Sequence, residues 1–178
     1  MPFALDEEKI DPQGRYILLR GKLDGTPIVL GSLYFPNSDQ HLFLEELSLL
    51  LADWAHTPWI LGGDFNTILD TTLDRSHPPL PGSPVIRCAK VLCQWLSNWA
   101  LTDAWRAKND GAKEYSFSHP HQQHTRIDSI CSPMYCSLLY FMQHIQARHC
   151  QIITPWSWAA SGEELLLLSR LGECQYLY

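Results

Sequence analysis

The strongest constraint on the fold is an Asp-Gly pair between two apolar runs. Arg15 to Leu23 is rich in strand-forming residues, Asp24-Gly25 follows, and Thr26 to Tyr34 is again mostly apolar. An Asp-Gly connection favours the positive φ angles of a tight turn whose twist matches that of two paired strands. The sequence therefore predicts a β-hairpin over residues 15–34.

The rest of the chain alternates between helical and extended patterns, as in a layered α/β domain. In chain order, we predict a helix from about Asp39 to Ala55, a buried strand from Trp59 to Gly62, an irregular loop from Thr71 to Pro84, a helix from Val85 to Ala100, and short strands at Tyr115 to Ser118 and Arg126 to Cys131. The apolar segment from Leu138 to Ile145 fits either a helix or a strand. Trp95, Trp99 and Trp105 are assigned to core packing, and Asp74-Arg75 to a loop ion pair or turn contact.

Length and composition indicate one globular domain over residues 1–178. The chain is 46% hydrophobic and 18% charged, which is enough apolar material for one core and unlike a disordered chain. No apolar run is long enough to span a membrane, and the acidic start lacks the basic region of a secretion signal. Six cysteines without a CxxC pair fit free thiols rather than a zinc site. We therefore expect an intracellular protein without a membrane partner.

The segment from Trp59 to Thr67 carries the candidate chemistry. Gly62 and Gly63 are expected to allow a tight exit from the buried strand, which would leave Asp64 and Asn66 pointing into a cleft. An ionised Asp binds a hard cation or orients a water molecule, and an Asn amide donates to a phosphate oxygen. A Gly-Asp pair before an apolar residue is also an ordinary turn, so a purely structural interpretation stays open.

Six short motifs occur in a characteristic order: Tyr34-x-Pro36-Asn37, Gly63-Asp64-Phe65-Asn66, Leu73-Asp74-Arg75-Ser76, Asp103-Ala104-Trp105-Arg106, Tyr115-Ser116-Phe117-Ser118 and Arg126-Ile127-Asp128. With them the chain resembles the endonuclease/exonuclease/phosphatase superfamily, specifically the endonuclease domain of non-LTR retrotransposons of the long interspersed type. The resemblance runs from about Gly14 to about Thr154, and residues 155–178 do not match it.

The resemblance implies an α/β fold, a four-layer sandwich related to deoxyribonuclease I and to abasic-site endonucleases, which cuts DNA with Mg²⁺. It also implies residue roles. Tyr34 would contact the scissile phosphate, Asp64 would activate or orient the attacking water, and Asn66 would help to hold the phosphate. Asp128 would pair with and orient a catalytic histidine.

Two parts of the family pattern are not found in the sequence. The family domain opens with strands that carry an Asn and then a metal-binding Glu, and we expect those opening strands to be missing here. Glu7 and Glu8 are interpreted as loop residues, not as the metal ligand. The family closes with Ser-Asp-His, whereas here Ser157 is followed by neither Asp nor His. A substitute histidine and a solvated loop both remain as interpretations of His119, His121 and His124.

The leading hypothesis is a retrotransposon-derived, endonuclease-like domain with DNA as its partner, catalytically impaired as it stands. Alternatives are a non-enzymatic DNA- or protein-binding remnant, a pseudogene product whose unpaired sheet edges prevent a stable fold, and a lipid phosphodiesterase of the same superfamily. The formal net charge of −6 opposes DNA binding unless local basic groups or a metal ion offset it.

Overall fold

The computed structural model describes residues 2–118 and 123–133. Its strands and helices are β1 (Phe3–Ile10), β2 (Tyr16–Leu23), β3 (Thr26–Tyr34), α1 (Gln40–Ala52), β4 (Trp59–Asp64), α2 (Pro84–Asn98), β5 (Leu101–Asp103), α3 (Ala104–Lys108), β6 (Phe117–Ser118), β7 (His124–Thr125) and β8 (Asp128–Pro133). The predictions for Leu138 to Ile145, Ser157 and the segment 155–178 lie outside the described residues.

Six strands form one mixed sheet in the order β1-β2-β3-β4-β8-β5. The predicted hairpin is confirmed, because β2 and β3 pair with Leu23 opposite Thr26. Asp24 and Gly25 both have positive φ, at 48° and 80°. β3 and β4 pair in parallel, with α1 in the connection between them, and the remaining pairs are antiparallel. The predicted α/β fold is therefore confirmed.

The core lies between the sheet and the helices α1 and α2. The helices contribute buried side chains at helical spacing, and the sheet contributes alternate residues of its strands; among them are Phe43, Leu47, Leu51, Leu92, Trp95, Leu96, Val29, Leu33, Leu61 and Cys131. Trp95 belongs to this cluster, and Trp99 packs on Trp59 with ring centroids 4.5 Å apart. Trp105 differs from the prediction, because its ring lies 4.9 Å from the guanidinium groups of both Arg106 and Arg126.

The interpretation of Glu7 and Glu8 as loop residues is wrong, because both belong to β1. This strand pairs with β2 at the edge of the sheet, with an irregularity in register between Leu5 and Glu7. Glu7 forms an ion pair with Arg20 at 2.9 Å. The segment has no clear alternation of apolar and polar residues, and it becomes a strand because β2 offers it an edge to pair with. Charged side chains are typical of such edge strands.

The sequence suggested that the strand ends at Gly62 and Gly63. This is wrong, because β4 continues to Asp64. Gly63 has φ 143°, and an added Cβ would lie 1.9 Å from the carbonyl oxygen of Leu33 on β3. At Gly62 the nearest atom would be 3.5 Å away. Gly63 is thus required by the close approach of two backbones, and Asp64 is held by the sheet rather than by a flexible loop.

Candidate functional site

The three predicted site residues from separate parts of the chain form one row across the sheet. Tyr34 at the end of β3 pairs with Asp64 at the end of β4, and Asp64 pairs with Asp128 at the start of β8. Directly paired residues project to the same face of a sheet, and adjacent strands are roughly 5 Å apart. The tyrosine and the two carboxylates therefore meet at one edge of one face.

Asp64 is a half-buried carboxylate with an altered acidity. Burial raises the pKa of Asp64 to about 6; the backbone N–H of Asn66 acts in the opposite direction, and the negative charge of Asp128 raises it further. The Asn66 N–H donates to Oδ1 of Asp64 at 2.7 Å. Asp64 thus gains and loses its proton close to neutral pH, which suits a group that exchanges a proton with water.

Asp128 is supported by Ser116, to which the sequence assigned no role. The Ser116 hydroxyl accepts hydrogen bonds from the backbone N–H groups of Ile127 and Asp128, both at 3.1 Å. Burial raises the pKa of Asp128, and a hydrogen bond with Ser116 acts against this shift. The Tyr115-Ser-Phe-Ser118 segment therefore fixes the beginning of β8 in addition to providing β6.

Asn66 follows Asp64 in a left-handed backbone conformation, with φ 45°. Its side-chain amide donates to the carbonyl oxygen of Phe35 at 2.7 Å. The amide therefore links the segment after β4 to the segment after β3. Its carbonyl oxygen and its second N–H are the groups that would be left for a phosphate, so the predicted contact stays a prediction.

Gln40, the first residue of α1, is a second polar link that sequence reasoning missed. Its buried Nε2 donates toward the carbonyl oxygens of Pro36, Phe65 and Asn66 at 3.1, 3.2 and 3.3 Å. No local sequence pattern marks this glutamine, since its partners lie up to twenty-six residues away and come together only in the folded chain.

A buried charge network lies beside the row of site residues. Asp74 is fully buried and accepts hydrogen bonds from Arg126 at 2.9 and 3.1 Å, and it also pairs with Arg106. Arg126 bonds in addition to Asp103, whose other oxygen accepts from the N–H groups at the start of α3. Burial alone would raise the pKa of Asp74, but Arg126 and the other donors hold it below its ordinary value.

Of the two interpretations of Asp74-Arg75, the ion pair is wrong and a turn contact is present, because the N–H of Asp70 donates to Oδ2 of Asp74 at 2.8 Å. Arg75 donates instead to Oε1 of Gln123 at 2.7 Å. Arg126 is buried and donates from two of its guanidinium nitrogens to the two oxygens of Asp74, whereas the guanidinium of Arg75 is engaged by Gln123. Because Arg126 lies two residues before Asp128, this network also anchors the chain that enters β8.

His124 is the one described member of the histidine-rich loop. Its Nδ1 lies 2.9 Å from the Ser118 hydroxyl, and its ring stacks on Tyr115 with centroids 5.8 Å apart. These contacts, rather than a bond to Asp128, engage the ring. His119 and His121 lie outside the described residues, so a substitute role for them stays untested.

The predicted Mg²⁺ site is not complete in the part of the chain that the structure describes. No group of three or more His, Cys, Asp or Glu side chains is arranged there to hold a metal ion. Asp64 and Asp128 offer two adjacent carboxylates with raised pKa values, which is a smaller set of oxygen ligands than a protein cage for a divalent ion provides.

The three described cysteines, Cys88, Cys93 and Cys131, are free thiols. Over the same residues, no helix has the length and apolar character needed to cross a membrane.

Comparisons with known proteins give the fold. No family model matches the chain. The endonuclease domain of TRAS1, a telomere-specific non-LTR retrotransposon, superimposes with a TM-score of 0.52 and 16% identity over 72% of this chain and 56% of that one. An AP endonuclease from Archaeoglobus fulgidus superimposes with a TM-score of 0.53 and 20% identity, over 74% of this chain and 56% of that one. A 3′ phosphatase from Neisseria, bound to a product DNA hairpin, superimposes with a TM-score of 0.55 and 19% identity, over 75% of this chain and 57% of that one. The chain thus spans a little over half the length of each.

Proposed function

We propose that the chain is a retrotransposon-derived, endonuclease-like domain that binds the phosphodiester backbone of DNA and is catalytically impaired as it stands. Its fold, which it shares with the superimposed endonucleases, is that of the endonuclease/exonuclease/phosphatase superfamily. The observation that carries this proposal is the row of Tyr34, Asp64 and Asp128 across β3, β4 and β8. The order of the six sequence motifs supports the retrotransposon branch.

The row supplies part of what phosphodiester hydrolysis requires. A water oxygen must bond to phosphorus while its proton leaves, and the ester P–O bond then breaks with negative charge on the departing oxygen. The Asp64 carboxylate, with a pKa of about 6, is suited to accept the proton of that water. The Tyr34 hydroxyl and the second amide N–H of Asn66 are donors for the phosphate oxygens.

The other requirements are poorly met by the described residues. The departing oxygen needs a proton donor, yet the side chain of Asp128 bonds to Ser116, and His124 bonds to Ser118. Two neighbouring carboxylates also repel a phosphate. Removal of one key group from such a site typically lowers the rate by about 10²–10⁴-fold. A site that lacks a proton donor and also lacks a cationic partner should therefore turn over extremely slowly.

DNA as the ligand class is supported by the superimposed proteins, which include two named endonucleases and a phosphatase bound to a DNA hairpin. The net charge of −6 opposes binding to a polyanion. We therefore expect weak binding that falls steeply as the salt concentration rises, because phosphate contacts release bound counterions.

A direct test combines two measurements on the full chain. Salt-dependent binding to a short duplex is followed by fluorescence anisotropy, and nicking of supercoiled plasmid is followed with Mg²⁺ present. We expect binding that Tyr34→Phe weakens, with nicking at background level. Efficient nicking that Asp64→Ala abolishes and Asp110→Ala leaves intact would disprove the impairment. Failure to bind DNA at low salt would remove the proposal itself.

A non-enzymatic binding domain is the second candidate, and the partners of Asp128 and His124 favour it. Asp128 has a hydrogen bond with Ser116, and the Nδ1 of His124 has one with Ser118, so the two side chains are engaged by different serines. Binding with no turnover at any Mg²⁺ concentration would support this candidate over a slow enzyme.

A further inference from the structure

The side chain of Gln40 lies beneath two loops that leave the sheet side by side. One loop follows β3 and contains Pro36, and the other follows β4 and contains Phe65 and Asn66. The buried Nε2 of Gln40 lies within 3.3 Å of a carbonyl oxygen of each of these three residues. An amide NH₂ has two hydrogens, so at least one of them is shared between two carbonyl oxygens.

This glutamine does not serve the helix that it begins. The residue before α1, Asp39, has a left-handed backbone with φ 55°, and its side chain makes no capping hydrogen bond. All three contacts of the Gln40 NH₂ group are to backbone outside α1. Its burial is therefore explained by the loops that it joins.

The same two loops are joined by two more bonds close to the site. The Phe35 N–H donates to the Asp64 carbonyl at 2.8 Å, and the Asn66 amide donates to the Phe35 carbonyl at 2.7 Å. Together with Gln40 they set where the backbone N–H of Asn66 points. That N–H donates to Oδ1 of Asp64 at 2.7 Å.

We propose that Gln40 is a positioning residue, whose amide fixes the loop after β4 against the loop after β3 so that the Asp64 carboxylate and the Tyr34 hydroxyl face one phosphate. The proposal rests on the function proposed above for its last step, the phosphate. Its first step, the orientation of the Asn66 N–H toward Asp64, depends on the fold alone.

The variant Gln40→Met keeps a similar length and removes the donor. The matched control is Gln94→Met on α2, where an exposed Nε2 bonds to Asn98 at 2.9 Å. Gln40→Glu is the second variant, because a protonated glutamic acid would donate one hydrogen and restore part of the link. All three are compared with the wild type by amide hydrogen exchange and by anisotropy with duplex DNA.

In Gln40→Met we expect the Asn66 amide to exchange about tenfold faster while core amides such as that of Leu47 keep their protection, which a general loss of stability would not produce. Gln40→Glu should fall between Gln40→Met and the wild type, and Gln94→Met should match the wild type. If Gln40→Met does not fold, the same comparison is made with Gln40→Glu. Unchanged exchange at Asn66 in the folded variants would overturn the proposal.

DNA binding separates failure of this proposal from failure of the proposed function. If the wild type binds, Gln40→Met should bind about fivefold more weakly, as expected when a contact group is displaced. Wild-type binding that Tyr34→Phe weakens and Gln40→Met leaves unchanged would overturn the positioning role. If the wild type does not bind, the proposed function fails, and faster exchange at Asn66 would support only the link between the loops.

Discussion

Asp64 lies directly opposite Asp128 across the β4–β8 ladder, and burial raises the pKa of both carboxyl groups. Two like charges on one face of a sheet repel each other, and their removal from water adds to the unfavourable free energy. Such a pair does not help the chain to fold. Carboxylates with perturbed acidity are concentrated at functional sites, which is consistent with a site kept at the expense of stability.

The first prediction is that Asp64→Asn stabilises the protein at pH 8. The pKa of Asp64 in the folded chain, about 6, lies above the value near 3.9 expected when the chain is unfolded. The folded state therefore holds the proton more tightly than the unfolded state. The stability that this tighter binding contributes is fully present below the unfolded pKa and is lost as pH rises through about 6. Asparagine avoids that loss and still accepts from the Asn66 N–H.

We expect the free energy of unfolding to rise by about 1–3 kcal/mol at pH 8. Urea unfolding at pH 8 measures it, with a smaller gain expected when the experiment is repeated at pH 5. The exposed Asp110→Asn is the control and should change little. A lower stability of Asp64→Asn at pH 8 would contradict this account of the carboxylate.

A second prediction compares two adjacent glycines. Gly63→Ala places a Cβ against the Leu33 carbonyl, where no flexible side chain is available to move, and it also strains a φ of 143°. We expect a loss of about 3 kcal/mol or more, or no folded protein. Gly62→Ala meets only ordinary contacts and should lose less than about 1 kcal/mol. Thermal unfolding of both variants checks the ranking, and equal losses would contradict it.

The third prediction concerns the buried charges. Arg126→Met leaves Asp74 and Asp103 in the interior with their shared partner removed. Breaking a buried pair in this way is expected to lower stability by about 3–5 kcal/mol. The exposed Arg87→Met provides the control, and denaturant unfolding at pH 7 is the measurement. A loss no larger than the control's would show that Arg126 is dispensable to the network.

The acid side of the stability curve gives a fourth prediction. Burial alone would raise the pKa of Asp74. Hydrogen bonds, mainly from Arg126, outweigh burial and hold this pKa below its ordinary value in the folded chain. This carboxylate therefore contributes stability that is present above the unfolded value, near 3.9, and is lost as pH falls through the lower folded value. Asp74→Asn should flatten the loss of stability between about pH 4 and pH 2 in urea unfolding. An unchanged acid limb would point to other groups.

The fifth prediction rests on the proposed function. Without divalent cations, protonation of Asp64 removes a negative charge from the site, so binding to duplex DNA should strengthen as pH falls through about 6. Comparison of Asp64→Asn with the wild type over the same pH range isolates the effect of this carboxyl group. This variant should bind about threefold or more tighter at pH 8 and show a weaker dependence on pH. Identical pH profiles for variant and wild type would exclude Asp64 from the interface.

Several elements followed from the sequence because their causes are local. Asp24-Gly25 predicts the hairpin through backbone preferences at two residues, and the helical spacing of apolar residues predicts α1 and α2 to within a few residues of their ends. The mixed α/β fold follows from their alternation. Asp64 was singled out from the local sequence pattern, whereas Tyr34 and Asp128 were added through the resemblance. The catalytic roles of all three remain predictions.

Tertiary structure alone decided the features that depend on which backbone or charge lies nearby. β1 is a strand because β2 accepts it, and Gly63 is required because Leu33 approaches it. Asp74 is paired with Arg126, fifty-two residues away, rather than with the adjacent Arg75, and Gln40 joins two loops that only the folded sheet brings together. Conformational preference acts over a few residues and can be read from the chain, whereas burial and hydrogen-bond partners exist only after distant segments have packed.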